Sequence, residues 1–135
     1  MAHFSVDELK CKCGCGENEC EPQLYEMLEE FRAAVSKEAG VDTPIIVTSG
    51  YRCSKHNKKV GGAYSSQHVL GRAADVRVEG KSAEWLEKVA ATVPSIKGMG
   101  RDDHNNFIHL DVRKTMPAKW CYDASGSWIK YYEAA

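Results

Sequence analysis

The chain has 135 residues, enough for one domain built around one core. Hydrophobic residues make up 43% and charged residues 27%, which is ordinary for a soluble globular protein. With 18 basic and 19 acidic residues the net charge is −1, so no basic surplus advertises a nucleic-acid partner, and no apolar run is long enough to cross a bilayer.

Residues 4–20 read as an irregular entry rich in cysteine and glycine. The first seven residues carry neither a basic n-region nor an apolar h-region, so no signal peptide is expected there. Four of the six cysteines, Cys11, Cys13, Cys15 and Cys20, fall within this entry, while Cys53 and Cys121 are distant. Three readings stay open: disulfides whose pairing the sequence does not choose, a structural zinc held by the four clustered thiolates, or reduced thiols in a loop. A bridge from Cys53 to the entry would tie it beside the segment that precedes Cys53.

Pro22 suits the first turn of a helix, where its missing N–H leaves no partner unsatisfied. Leu24, Leu28, Phe31 and Val35 then recur at helical spacing, and Gly40 supplies the stop. Residues 44–48 predict a short buried strand that delivers Ser49-Gly50-Tyr51-Arg52 at its end. A helical turn is expected over 54–60, broken by Gly61-Gly62-Ala63. The alternation of Ala74, Val76 and Val78 marks a strand with Asp75 and Arg77 on its other face. Ser82 N-caps a second helix to about residue 92, with Leu86, Val89, Ala90 and Val93 inward and Pro94 beyond its end. Residues 96–106 lead into an alternating strand, 107–113, with His109, Asp111 and Arg113 on one face. Trp120, Trp128, Tyr131 and Tyr132 in the tail finish the core or line a groove. Nothing repeats and no linker divides the chain, so 1–135 reads as one α+β domain with an entry segment, 1–20, and a C-terminal extension from about 114 to 135.

The chemistry concentrates at Ser66-Gln67-His68-Val69-Leu70-Gly71-Arg72-Ala73-Ala74-Asp75, where an imidazole and a carboxylate flank a glycine that lets the chain turn close to a metal. Zn²⁺ takes His nitrogen and carboxylate oxygen, and a hydrolytic site keeps three protein ligands so that the fourth position stays open. His109 is the third candidate, giving His68, Asp75 and His109.

The pattern S-x-H-x-x-G-x-A-x-D, carried by Ser66, His68, Gly71, Ala73 and Asp75, resembles the zinc D-alanyl-D-alanine carboxypeptidase family. Ser49-Gly50-Tyr51-Arg52 and His109-x-Asp111 fit the same family, and the resemblance runs from about residue 4 to about residue 113. Its superfamily includes wall-cleaving phage endopeptidases and the signalling domain of hedgehog proteins. The resemblance implies an antiparallel sheet with helices packed on one side, a bound Zn²⁺, and peptidoglycan peptides as partners. It also implies that Arg52 binds substrate, through a guanidinium fork suited to a terminal carboxylate, with Ser66 supporting the site by hydrogen bonding. A serine-nucleophile reading fails because no G-x-S-x-G elbow surrounds Ser66.

One position departs from the family. Many relatives carry an acid three residues before the second metal histidine, and here that residue is Asn106, which cannot act as a base. Asp102, Asp103 and His104 are the nearest replacements. Hedgehog-type relatives carry their acid six residues before the histidine, so Asp103 is the candidate base and His104 the candidate proton donor or oxyanion stabiliser. The same run also reads as a solvated turn. Asp111 either orients a ligand histidine or faces solvent.

The expected function is hydrolysis of D-amino-acid-containing wall peptides, as a D,D-carboxypeptidase or an endolysin-type endopeptidase. The alternative is a zinc-containing binding module without turnover. A monomer is expected, synthesised without a signal peptide (cytoplasmic or phage-encoded) and acting on the cell wall.

Overall fold

A computed structural model of the chain describes residues 3–60 and 66–122, and the backbone alone of 128–132. The expected break at Gly61-Gly62-Ala63 and the side chains of Trp128, Tyr131 and Tyr132 lie outside the described residues.

The entry segment is less irregular than its composition predicts. Ser5 caps a one-turn helix, α1 (Val6–Leu9), in a reciprocal capping box with Glu8 that drives Leu9 into the core. Helix α2 (Pro22–Ala39) begins at its proline and ends at Gly40, whose φ of 76° suits a residue without Cβ and whose N–H donates to the Ser36 carbonyl. Its buried stripe, Leu24, Met27, Leu28, Phe31 and Val35, is the expected face with Met27 added. Strand β1 (Ile46–Ser49) and helix α3 (Ser54–Lys59) follow, then strand β2 (Ala73–Arg77). Helix α4 (Ala83–Ala90) is capped by Ser82, whose hydroxyl accepts the Trp85 N–H.

Strands β3 (Gly98–Asp102), β4 (Phe107–Asp111), β5 (Ala118–Tyr122) and β6 (Trp128–Tyr132) complete a six-stranded sheet in the order β1-β2-β4-β3-β5-β6. The fold is α+β, but the sheet is mixed rather than wholly antiparallel, because β5 runs parallel to β3. The reason is where β4 ends. Asp111 pairs with Gly98, so the chain leaves β4 already beside the start of β3. The short link 112–117 carries it to the far edge of β3, where Ala118 donates to the Lys97 carbonyl and the new strand can only run the same way.

Alternation divides the sheet into two faces. Ala74, Val76, Met99, Ile108 and Leu110 join the buried residues of α2 and α4 in one core. The other face carries a row of directly paired residues, Ser49–Asp75–His109–Gly100–Trp120, contributed by five strands. A bulge between Val47 and Ser49 brings Ser49 into that row. Among the described residues, no helix is long and apolar enough to cross a membrane.

Candidate metal centre

Side chains that point to the same face from paired positions must meet, and Asp75 and His109 are directly opposite across β2 and β4. Asp75 Oδ1 lies 3.0 Å from His109 Nδ1 and 3.1 Å from His68 Nε2. The ligand atoms of all three residues are buried and within 4.8 Å of one another. His68 arrives from the turn before β2. Ser66 Oγ accepts the His68 N–H at 3.2 Å, and the Gly71 N–H closes the turn onto the His68 carbonyl. Gly71 has a φ of 72°, as a turn glycine should, but the backbone it approaches belongs to Glu19 and Cys20, not to the ligand cluster.

Each imidazole has its other nitrogen fixed by a group that can only accept. His68 Nδ1 is 2.8 Å from the Gly50 carbonyl, and His109 Nε2 is 2.7 Å from Asp111 Oδ2. In the neutral rings those nitrogens carry the proton, so the lone pairs of His68 Nε2 and His109 Nδ1 both face a carboxylate oxygen. Three acceptors converging in a buried space require a cation between them. Ligands placed 2.0–2.1 Å from a tetrahedral zinc stand about 3.3 Å apart, close to the separations found here. The donor set therefore fits a zinc ion with one position open.

The charges are consistent with that reading. Burial alone would raise the Asp75 carboxyl, yet the charge of His68 and the hydrogen bonds of both histidines hold it far below the usual carboxylate range. Burial would lower His109, but Asp111 and Asp75 raise it to about 9. Asp111 is wholly buried and is gripped by Arg113, Nε to Oδ1 at 2.8 Å and Nη2 to Oδ2 at 2.7 Å. Asp111 thus orients His109 and does not face solvent.

Arg52 stands at the edge of the cluster. Its Nε donates to Ser49 Oγ, its Nη1 to Asn57 Oδ1, and its Nη2 lies 3.5 Å from Asp75 Oδ2, the oxygen turned away from the histidines. Among the described residues, an N–H on each terminal nitrogen remains for an incoming group.

Asp103 and His104 are not gathered with the three ligands. They occupy the turn between β3 and β4, where Asp103 is 3.1 Å from Arg101 Nε and Arg101 in turn reaches Glu87 of α4. Asp102 is buried and accepts the backbone N–H groups of His104 and Asn105, which braces the turn from within, while residues 103–106 are exposed, as the solvated-turn reading expects. Asn106 holds it from the other side, at a φ of 54°, accepting from the Ala83 N–H and donating to the Lys81 carbonyl. An amide can do both, whereas a carboxylate can only accept.

Two features were hidden from sequence patterning. Trp120 packs on His109 with ring centroids 5.1 Å apart, and Arg113 lies over the Trp120 ring at 5.2 Å. Both need missing side chains opposite: a Cβ on Gly100 would overlap the Trp120 indole, and one on Gly98 would overlap the Asp111 carboxylate. Tyr122, beside Trp120, has its phenol pushed up by burial and by the charge of Asp75, so it remains a protonated donor.

Comparison with known proteins bears on these residues directly. A family model described as Peptidase M15 matches residues 2–111, which include all three metal-centre residues and Arg52. A zinc D-Ala-D-Ala carboxypeptidase of Streptomyces albus G is 35% identical over 82 residues, 59% of this chain and 32% of that protein. The match thus spans about a third of the length of that curated relative.

Proposed function

Because the chain belongs to the peptidase M15 family, we propose that it is a zinc-dependent peptidase hydrolysing D-amino-acid-containing stem peptides of peptidoglycan. The observation that carries this reading is the convergence of His68, Asp75 and His109, each imidazole held by a second partner, in a buried site that needs a cation. These three residues would hold the zinc. When bound, the ion lowers the pKa of water towards ~7 and polarises a carbonyl, which is the activation that amide hydrolysis requires.

The remaining work falls to the chain's own groups. Arg52 binds the substrate carboxylate through the outward N–H groups of its terminal nitrogens, while its anchors on Ser49, Asn57 and Asp75 keep the fork in one orientation. Ser66 supports the site indirectly, by fixing the turn that presents His68. Asp103 is the proposed proton acceptor and His104 the proposed donor to the leaving amine. That assignment carries a condition: the Asp103–Arg101 pair must open and Asn106 must release the Ala83 N–H and the Lys81 carbonyl before the 103–106 turn can swing towards the ligand cluster. The Asp103–Arg101 pair is more than half exposed on its Asp103 side, so it contributes less than about 1 kcal/mol to that cost, and the two Asn106 hydrogen bonds add about 0.5–1.5 kcal/mol each.

One observation favours a second reading. Asn106 stands where many relatives carry an acid, and its amide is committed to the backbone of Lys81 and Ala83. A zinc-containing module that binds wall peptides without turnover accommodates this directly. Digestion of purified peptidoglycan with the zinc-loaded chain, followed by mass spectrometry, separates the possibilities. Loss of a terminal D-alanine means a carboxypeptidase, and cut cross-links mean an endolysin-type endopeptidase. Unchanged fragments from protein that holds zinc and sediments with the wall would establish the binding module.

A further inference from the structure

A second cluster of soft donors lies outside the centre described above. Cys11, Cys13 and Cys15 come from the turn after α1, and Cys53 immediately follows Arg52. Their four Sγ atoms all lie within 4.8 Å of one another. Cys11 to Cys13 is 3.4 Å, and Cys53 is 3.7 Å from each of them. A disulfide requires about 2.05 Å. Four thiolates around a tetrahedral zinc, each at about 2.3 Å, stand about 3.8 Å apart. The observed spacings match the second arrangement.

Three backbone amides point at these sulfurs. The Cys53 N–H donates to Cys11 Sγ at 3.4 Å, the His56 N–H to Cys53 Sγ at 3.4 Å, and the Glu17 N–H to Cys15 Sγ at 3.5 Å. Amide donors aimed at sulfur stabilise it as a thiolate, the form that binds metal. Gly14 and Gly16 alternate with the cysteines at φ values of 93° and 75°, a backbone path that curls the short segment so its sulfurs converge. Disulfides would use this geometry poorly. Pairing Cys53 with any one of the three leaves the other two to bridge within residues 11–15, closing a loop too short to gain much stability. No disulfide joins the four cluster cysteines, and the two cysteines outside the cluster are separately placed. Cys20 packs against the core, with its thiol pushed up to about 11 by burial, and Cys121 is buried in β5.

We propose that Cys11, Cys13, Cys15 and Cys53 form a second metal site that holds one thiophilic divalent ion of the zinc type through four thiolates. Four protein ligands leave no open position, so this site is structural. Its place gives it a purpose. The Tyr51 N–H donates to the Leu9 carbonyl at 2.8 Å, and Gly50 lies against the Leu9 backbone where a Cβ would collide. An ion joining residues 11–15 to residue 53 locks the same two segments together on the other side of Arg52. It thereby fixes the Gly50 carbonyl that orients His68 and the guanidinium that meets Asp75. Binding releases the protons the thiols carry, so occupancy falls as the medium turns acid.

The test uses the full chain purified under reducing conditions, loaded with zinc and freed of loose metal. Two zinc ions per chain are expected by elemental analysis. His68→Ala should keep one, and Cys13→Ser should keep the other. In denaturant with a chelator and no reductant, all six thiols should titrate. Cobalt added to the metal-free chain should give an intense near-ultraviolet thiolate-to-cobalt band that survives His68→Ala. A single zinc per chain with no such band overturns the proposal, as does a shortfall of thiols signalling disulfides. If Cys13→Ser fails to fold, the cobalt spectrum and thiol count of the unaltered chain decide the matter.

Discussion

His109 and Asp111 sit two residues apart on one face of β4, with the imidazole Nε2 2.7 Å from a carboxylate that water does not reach. That contact fixes which nitrogen of His109 is left for a metal, and Arg113 holds the carboxylate in place. Asp111→Asn keeps the shape but weakens the acceptor, and the amide can present an N–H to the ring instead. Zinc affinity should fall about 10–100-fold, the usual effect of losing such a partner. Competition against a chromogenic chelator measures this, and an unchanged affinity would remove Asp111 from the account of the site.

Arg52→Lys retains a positive charge but cannot span two carboxylate oxygens or keep three anchors at once. On peptides ending in a free carboxylate, kcat/KM should drop about 10–100-fold, the range for losing a charged hydrogen bond. Peptides amidated at that end should be poor substrates for the parent and insensitive to the change. Equal cleavage of both by the parent would assign an endopeptidase and leave Arg52 as the partner of Asp75.

Asp103→Asn tests the proposed base. Hydrolysis of wall peptides should fall by at least about a hundredfold with zinc content intact. The melting temperature should hardly move, because the Arg101 pair it breaks is exposed on one side. Full activity in this variant, together with a dead His104→Ala, would transfer the role to the histidine. Asp102→Asn is no neutral control, since the buried Asp102 carboxylate holds the turn through two backbone N–H groups.

Gly100→Ala places a methyl group where the Trp120 indole lies. The ring must shift or the strands must part, at a cost of about 1–3 kcal/mol in urea unfolding. Zinc affinity should fall as well, because Trp120 packs on His109. A stability within experimental error of the parent would mean that the indole moves freely.

The candidate metal centre is legible in the sequence because its three residues sit in patterns that survive without coordinates. His68 and Asp75 share one short segment, and the alternation around His109 shows which side of a strand it occupies. Helices α2 and α4 are legible for the same reason, since Pro22, Gly40 and Ser82 carry their own capping chemistry, whereas α1 hides in a segment whose cysteines and glycines read as irregular. Strand β3 is not, because Gly98 and Gly100 are poor strand formers chosen for what lies across from them. The parallel pairing of β5 depends on where β4 ends, which no local pattern records. Cys53 joins the cysteine cluster in place of Cys20, a choice made by the Leu9–Tyr51 contact and not by spacing. Asn106 reads as a missing acid in one dimension and as the fastening of a turn in three.

The stretch matched by the family model stops at residue 111, while the wall around His109 does not. Val112 donates to the Arg72 carbonyl, Arg113 forks Asp111, and Trp120 covers the imidazole. A unit grafted into another protein by the limits of that match would carry His68, Asp75 and His109 and still open the candidate centre to solvent. Its Asp111 would be hydrated and released from the guanidinium, and His109 would lose the ring that steadies it. The portable piece of this molecule therefore includes β5, and transplantation should be planned from Trp120 outward.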